Sequence, residues 1–397
     1  MTGPLPISRL RIWSPSIPMK QKFRHAAAER STSDPVILEV ELAGGLKGYG
    51  ETHPRTYVTG ESHDDILAAI RDVFVPILVG ARPQNFGEAI ELAASLPVRD
   101  ATGRVITATR AAVELALLDA YSKAFDRSIE SIAGWVSETS LGPPGSRNTV
   151  RFSGVISSGD TGRLRSSLLR MRLYGLRDFK LKVGDDEDEE RIAACVRALG
   201  RGLRRGRATL RLDANGAWKL EEAIRRLQEW ESLPITSIEQ PLEKGDIESW
   251  AALARQTNMP LMADESLVTI EDAQSLIARG AASWFNIRIS KNGGLIPSLR
   301  LALLAKENHV DVQLGCMVGE TSILSAAGRW FLQLVPDVIF AEGSFGRFLL
   351  RDDIAPKPLR FGYGGRWRAM EGPGLGVQVD ESKLLRLCRL PPVMLPF

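Results

Sequence analysis

Apolar and polar residues alternate along LRIWS (10–14) and PVILEVELAGGLKGYGE (35–51), the period of strands with one buried face, and Gly44-Gly45 supplies a turn. The pattern then changes. In HDDILAAIRDVFVPILVG (63–80), QNFGEAIELAASL (84–96) and TGRVITATRAAVELALLDAYSKAFD (102–126) the apolar residues recur at helical spacing. Strands followed by helices predict an α+β domain over residues 1–145, with the glycine- and proline-rich LGPPGSRN (141–148) as its linker.

From about residue 150 short β runs alternate with amphipathic helices. The β runs are SGVISS, DFKLKVG, TLRLDAN, ITSIEQP, PLMADES, WFNIRIS, DVQLGC and VIFAEG. Among the helices, DDEDEERIAACVRALG (185–200) carries acids in its first turn, where a helix dipole favours them. Eight such units over roughly 200 residues predict an α/β fold of the TIM-barrel type for 146–360. A doubly wound sheet would want fewer strands and a glycine-rich first turn, which SGVISSGD is not.

Composition narrows the function. Of 397 residues 44% are hydrophobic and 25% charged, the profile of a soluble globular protein. A net charge of +3 gives no electrostatic case for nucleic acid or membrane. The most basic run, RGLRRGRATLRLD (201–213), lacks interleaved aromatics and reads as a solvated loop entering a strand. Cys195, Cys316 and Cys388 are too scattered for a metal motif and are expected as free thiols. No run of 18 apolar residues and no signal-peptide core occurs, so a cytoplasmic protein is expected.

The charges inside the β runs carry the chemistry. They are Lys180 and Lys182 on the second, Asp213 on the third, Glu239 on the fourth, Asp264 on the fifth and Arg288 on the sixth. One charge per unit at matched height brings these side chains together at the C-terminal mouth of a barrel. Three carboxylates held together repel unless a cation joins them, and oxygen ligands suit Mg²⁺, or Mn²⁺ in its place. Local helix capping or ion pairing is the competing explanation for each carboxylate alone. Lys180 and Lys182 share strand parity, and two close ammonium groups lower one another's pKa, which suits a general base.

KLK (180–182), LDAN (212–215), IEQP (238–241), ADES (263–266) and SKNGG (290–294) together resemble the enolase superfamily, and within it the muconate lactonizing enzyme group. The likeness extends to GYGETHPRTYVTGE (48–61) and EGPGLGVQVD (371–380), whose GPGLG reads as a turn. The resemblance implies a modified (β/α)₇β barrel under an α+β cap that segment 361–397 completes, in a homo-oligomer. It implies Mg²⁺ on Asp213, Glu239 and Asp264, with Glu265 beside a ligand. It also implies Lys182 as the base removing a proton α to the carboxylate of a small organic acid, with Lys180 tuning it. The metal would stabilise the enediolate formed on proton loss. Selectivity would come from cap loops around 15–30 and 52–60, where His25, His53, Arg55 and Tyr57 are candidate contacts, each competing with an ordinary surface role. Glu342, ending strand eight, would serve as proton relay or polar contact, or form a salt bridge at the barrel mouth. Cys316 and Met317 end strand seven, where no nucleophilic thiol is expected.

Strand six departs from the family's pattern. Members doing two-base chemistry commonly carry Lys-x-x-Lys before Asn-Gly-Gly; here the residues are Arg288-Ile-Ser-Lys291. Parity puts Asn286, Arg288 and Ser290 on one face and Phe285, Ile287 and Ile289 toward the helices. Arg288 therefore faces the mouth opposite Lys182, while Lys291 lies in the loop as a further substrate contact. Arginine takes up no proton, so one-base dehydration (β-elimination) or cycloisomerisation is expected. A two-base racemase or epimerase would need Lys291 to swing inward. A metal-binding barrel without turnover and a Schiff-base aldolase are the other classes; retention of both lysines and all three carboxylates disfavours the first, and pairing of the lysines the second. His309 precedes strand seven, at the wrong end for a base.

Overall fold

The computed structural model describes residues 5–25, 28–137, 149–157 and 160–395, with the backbone alone for 21–25, 28–29 and 347. The expected linker at 141–148 lies outside the described residues. Strands β1 (Ile7–Trp13), β4 (Val36–Leu42) and β5 (Lys47–Thr52) pair antiparallel, and β14 (Val393–Leu395) adds to the outer edge of β1. Residues 15–30, expected as a loop, instead contain β2 (Ile17–His25) and begin β3 (Ala28–Ser33), which form a separate hairpin. Its register breaks between Pro18 and Phe23, and its sequence is mostly polar, so it carries no alternation to read.

Behind β4 and β5 runs the helix Thr107–Phe125, buried from Thr107 through Ser122. Burial on every side accounts for its weak amphipathic pattern. Its close approach depends on glycine. A Cβ on Gly50 would stand 1.9 Å from the carbonyl oxygen of Ala112, and one on Gly48 2.2 Å from the nitrogen of Ala120.

The second unit is a parallel barrel. Its strands are β6 (Gly154–Ile156), β7 (Asp178–Lys182), β8 (Thr209–Asp213), β9 (Ser237–Glu239), β10 (Leu261–Ala263), β11 (Trp284–Ile287), β12 (Asp311–Leu314) and β13 (Val338–Ala341), hydrogen-bonded in that order. The ring closes where Ser153 N–H donates to Ala341 O at 2.8 Å beside the Phe152–Ala341 bridge. A helix follows each of the first seven strands, but after β13 only the short Gly346–Leu349 turn forms. This is the (β/α)₇β arrangement. The chain then returns along the cap, where Gly374 and Leu375 donate to Ser122 and Asp119 before β14 is reached. GPGLG thus makes a docking turn.

Buried carboxylates of the cap bind the first turns of barrel helices. Glu51 on β5 accepts from Thr321 N–H at 2.8 Å, Thr321 Oγ1 at 2.7 Å and Leu324 N–H at 3.0 Å, at the start of Ser322–Leu334. Glu114 accepts from Ile296 N–H at 2.9 Å, at the start of Leu295–Glu307, while its neighbour Arg110 donates to Gly293 O. Such carboxylates satisfy orphan N–H groups at the positive end of each helix. Gly294 leaves room for this contact: its φ is +114°, and a Cβ there would lie 2.4 Å from Glu114 Oε1. Gly294→Ala should cost about 2–4 kcal/mol from backbone strain and a displaced buried carboxylate. Gly44→Ala, at φ +98° in open space, should cost only about 1–2 kcal/mol. Urea unfolding compares them, and equal losses would refute the docking role of Gly294.

Candidate active site

The strand parity read from the sequence brings the charged side chains to one buried cluster at the C-terminal mouth. Lys182 Nζ donates to Asp213 Oδ2 and, at 2.8 Å, to Asn215 Oδ1. Lys180 Nζ stands 3.2 Å from both Asp213 and Glu239 and 2.7 Å from Glu342 Oε2. Arg288, immediately after β11, sets its guanidinium against Asp264 Oδ2, 3.7 Å from Glu239 and 3.8 Å from Met317 Sδ. All are buried.

Electrostatics correct one expectation. Burial disfavours the Lys180 ammonium, but Glu239, Glu342 and Asp213 outweigh it and hold its pKa well above the ordinary lysine value. Lys180 is thus a fixed cation rather than a lysine lowered by its neighbour. Burial pushes Glu239 up, and Asp213 adds to this. Burial acts likewise on Asp213, but Lys182 and Lys180 reverse it and hold that carboxyl below its usual range.

Lys291 is past the strand end, as parity requires, yet it is not out in the loop. Its side chain is fully buried and donates to Asp264 O (2.7 Å), Asp264 Oδ1 (3.0 Å) and Asn286 O (2.8 Å). Its nitrogen thus faces three acceptors, while burial, then Arg288, push its pKa well below the ordinary lysine value. The missed signal was the tight turn after it, in which Asn292 accepts from Arg288 N–H and donates to Leu267 O and Val268 O. Glu342 is buried in ion pairs with Lys180 and Arg211, the salt bridge weighed against its substrate role.

The cap residues are deeper than a surface position. His53 and Arg55 are buried; His53 meets Glu51 Oε1 at 3.1 Å, and Arg55 reaches Val318 O at 3.2 Å. Burial lowers the His53 pKa. Tyr57 is half-buried beside Arg55, its hydrogen-bond partner. His25 is described by its backbone alone. Burial, then Glu320 and Glu342, push the Cys316 thiol well up. His309 is exposed before β12, away from the mouth.

Several polar residues in the cluster were not anticipated. Arg211 has the parity of Asp213 and is wholly buried inside the barrel, 2.7 Å from Ser153 Oγ and stacked over Phe340. Parity alone could have found it. Asn286 donates to Glu239 Oε1 at 2.7 Å and Gln313 to Oε2 at 3.3 Å, which fixes that carboxylate. Gln240 accepts from Asp264 N–H and Ser266 N–H, and Asn215 donates to Glu265 Oε1, so IEQP and LDAN scaffold the ADES turn.

Among the described residues, no three His, Cys, Asp or Glu side chains are gathered into a metal-holding group; Lys180, Lys182 and Arg288 stand among the carboxylates. The donor set nevertheless fits a hard dication. Asp213, Glu239 and Asp264 offer anionic oxygens from consecutive strands, and Glu265 Oε2 is buried without a hydrogen bond.

Residues 8–134 match the mandelate racemase / muconate lactonizing enzyme N-terminal domain, and 163–383 the enolase C-terminal domain-like family. The chain belongs to the mandelate racemase/muconate lactonizing enzyme family of the enolase superfamily, a family of enzymes. It is 30% identical to muconate cycloisomerase 1 of Pseudomonas putida, over 89% of this chain and 90% of the relative. It is 27% identical to N-succinyl-L-Arg/Lys racemase of Bacillus cereus, over 96% and 97%. The solved structure of that racemase superposes with a TM-score of 0.83 at 25% identity, covering 98% of this chain and all of the other. Muconate lactonizing enzyme from Pseudomonas putida gives 0.81 at 28%, covering 97% and 100%. Among the described residues no helix is long and apolar enough to cross a membrane.

Removal from water pushes Glu320 up to about 8, against the Met317 N–H its carboxylate accepts. A folded pKa above the unfolded 4.5 means that the stability it contributes is complete below pH 4.5 and lost as pH rises toward 8. Unfolding free energies should therefore fall between pH 5 and pH 9 more steeply in the native protein than in Glu320→Gln. Parallel profiles would contradict the assignment.

Proposed function

We propose that this enzyme removes the proton α to the carboxylate of a small organic acid by one-base chemistry, as a dehydratase or cycloisomerase. The observation that carries this reading is Arg288 at the mouth, on the strand four places from that of Lys182. Family membership supports the chemical class; the relatives include both cycloisomerases and racemases, so the reaction rests on this chain's own residues.

Lys182 is the base. Asp213 and Asn215 hold its nitrogen at the mouth, and the proton taken from the substrate stays there until it is returned or delivered to a leaving group. Arg288 remains a cation throughout and offers charge to the carboxylate or to the enediolate left by proton loss. Lys180, held charged by its three carboxylate neighbours, keeps positive potential beneath the reacting carbon and does not exchange protons. Asn286 and Gln313 keep Glu239 oriented. Mg²⁺ held by Asp213, Glu239 and Asp264 would supply Lewis-acid charge for the substrate carboxylate. Tyr57 stands in the cap loop that would adjoin the substrate. Lys291, its nitrogen engaged on Asp264 and Asn286, acts as a strut.

Incubation with Mg²⁺ and a panel of small carboxylic acids in D₂O, followed by NMR, tests the reading. A turned-over acid should exchange its α-proton, and Lys182→Ala should slow exchange by at least about 10³-fold, the scale of a lost general base. Exchange surviving that change would remove Lys182 from its role. Interconversion of enantiomers, abolished by Lys291→Ala, would establish the two-base reading instead. Glu239→Gln should weaken Mg²⁺ binding more than tenfold in calorimetry, whereas unchanged affinity would undo the ligand assignment.

A further inference from the structure

At the opposite end of the barrel lies a cleft of about 680 Å³. Its position follows from the chain: Leu176 and Arg177 precede β7, and Ala208 precedes β8. Eight of the eighteen lining residues are arginines, and none is acidic. The run 201–213, a solvated loop when read alone, supplies Arg201, Arg204 and Arg207. The others come from separate segments. Arg172 ends the helix Thr161–Leu173 and donates to Ala198 O; Arg197 ends the helix Asp188–Leu199; Arg177 enters β7. Arg151 and Arg366 complete the set. Among the described residues none of the eight is ion-paired with a carboxylate, whereas the arginines of the catalytic mouth, Arg211 and Arg288, both are.

The whole chain carries only +3, so this one cleft concentrates more positive charge than the molecule's surplus. Guanidinium groups gathered in a concave site without counter-charges focus a field on small anions. A guanidinium fork matches phosphate oxygens two at a time. The volume is that of a small-molecule site, and its concavity suits a compact ligand better than a duplex. At the rim Tyr363 is 66% exposed, with its ring lying over Gly175. Such a ring offers a stacking face to a planar base.

The geometry points to a second binding site, remote from the catalytic mouth, for a small multiply charged phosphate compound carrying a planar ring, of the nucleoside di- or triphosphate class. Phosphates lie among the arginines and the ring against Tyr363. The site does not depend on the proposed reaction.

Calorimetry with ADP and with inorganic diphosphate, in EDTA so that no divalent ion holds either at the mouth, tests this. In 50 mM salt, ADP should bind saturably below millimolar concentration and more tightly than diphosphate. Arg204→Glu/Arg207→Glu, both on exposed side chains, should weaken each at least tenfold, and Tyr363→Ala should remove the advantage of ADP alone. Thermal unfolding guards against a folding defect: the double variant should melt no lower than the native protein without ligand, yet lose the rise that ADP gives. Absence of saturable binding, or equal binding by the double variant, would overturn the site. Tighter retention of a DNA duplex than of ADP, lost in the same variant, would overturn the small-molecule assignment.

Discussion

The constraint on which the rest depends is the burial of opposite charges at one end of a barrel. Lys180, Lys182, Arg211, Arg288 and Lys291 face Asp213, Glu239, Asp264, Glu265 and Glu342, all nearly removed from water. Charges so placed are tolerated only when each is paired and hydrogen-bonded. Much of the surrounding structure supplies that pairing. Asn286, Gln313, Asn215 and Gln240 hold carboxylates or the turns that carry them. A site held this way is oriented before substrate arrives, which is what electrostatic catalysis requires.

The same logic accounts for the polar contacts between cap and barrel. Glu51 and Glu114 leave the cap to bind the amide ends of barrel helices, and Ser290, in the turn after β11, meets Thr52 Oγ1 at 2.8 Å. The SKNGG segment therefore has three tasks. Lys291 ties β10 to β11, Asn292 locks the turn, and Gly294 makes space for a cap carboxylate. Its residues serve architecture, while Arg288 ahead of them faces the chemistry.

Much of this was legible from periodicity. A charge recurring once per βα unit was enough to gather Lys180, Lys182, Asp213, Glu239, Asp264 and Arg288, because the pleat sends alternate residues to one side. What escaped was whatever depends on contacts between distant segments. The hairpin of β2 and β3 is too polar to show alternation. His53 and Arg55 look like surface residues until the barrel loops cover them. The pKa of Lys180 is raised because Glu239 and Glu342, dozens of positions away, outweigh its burial. The arginines of the lower cleft come from five stretches of chain, and only one of them looked basic by itself.

The pairing of β1 with β14 has a consequence in time. Leu10 lies opposite Leu395, so one edge of the cap sheet stays open until residues 393–395 have been made. The whole barrel emerges from the ribosome in that interval. An unpaired strand edge is a template for wrong partners. During this wait β1 is shielded on its other side by β4, and Arg9 and Arg11 are the charges its sequence offers against misassociation. β14, made after the barrel, thus closes the edge of β1.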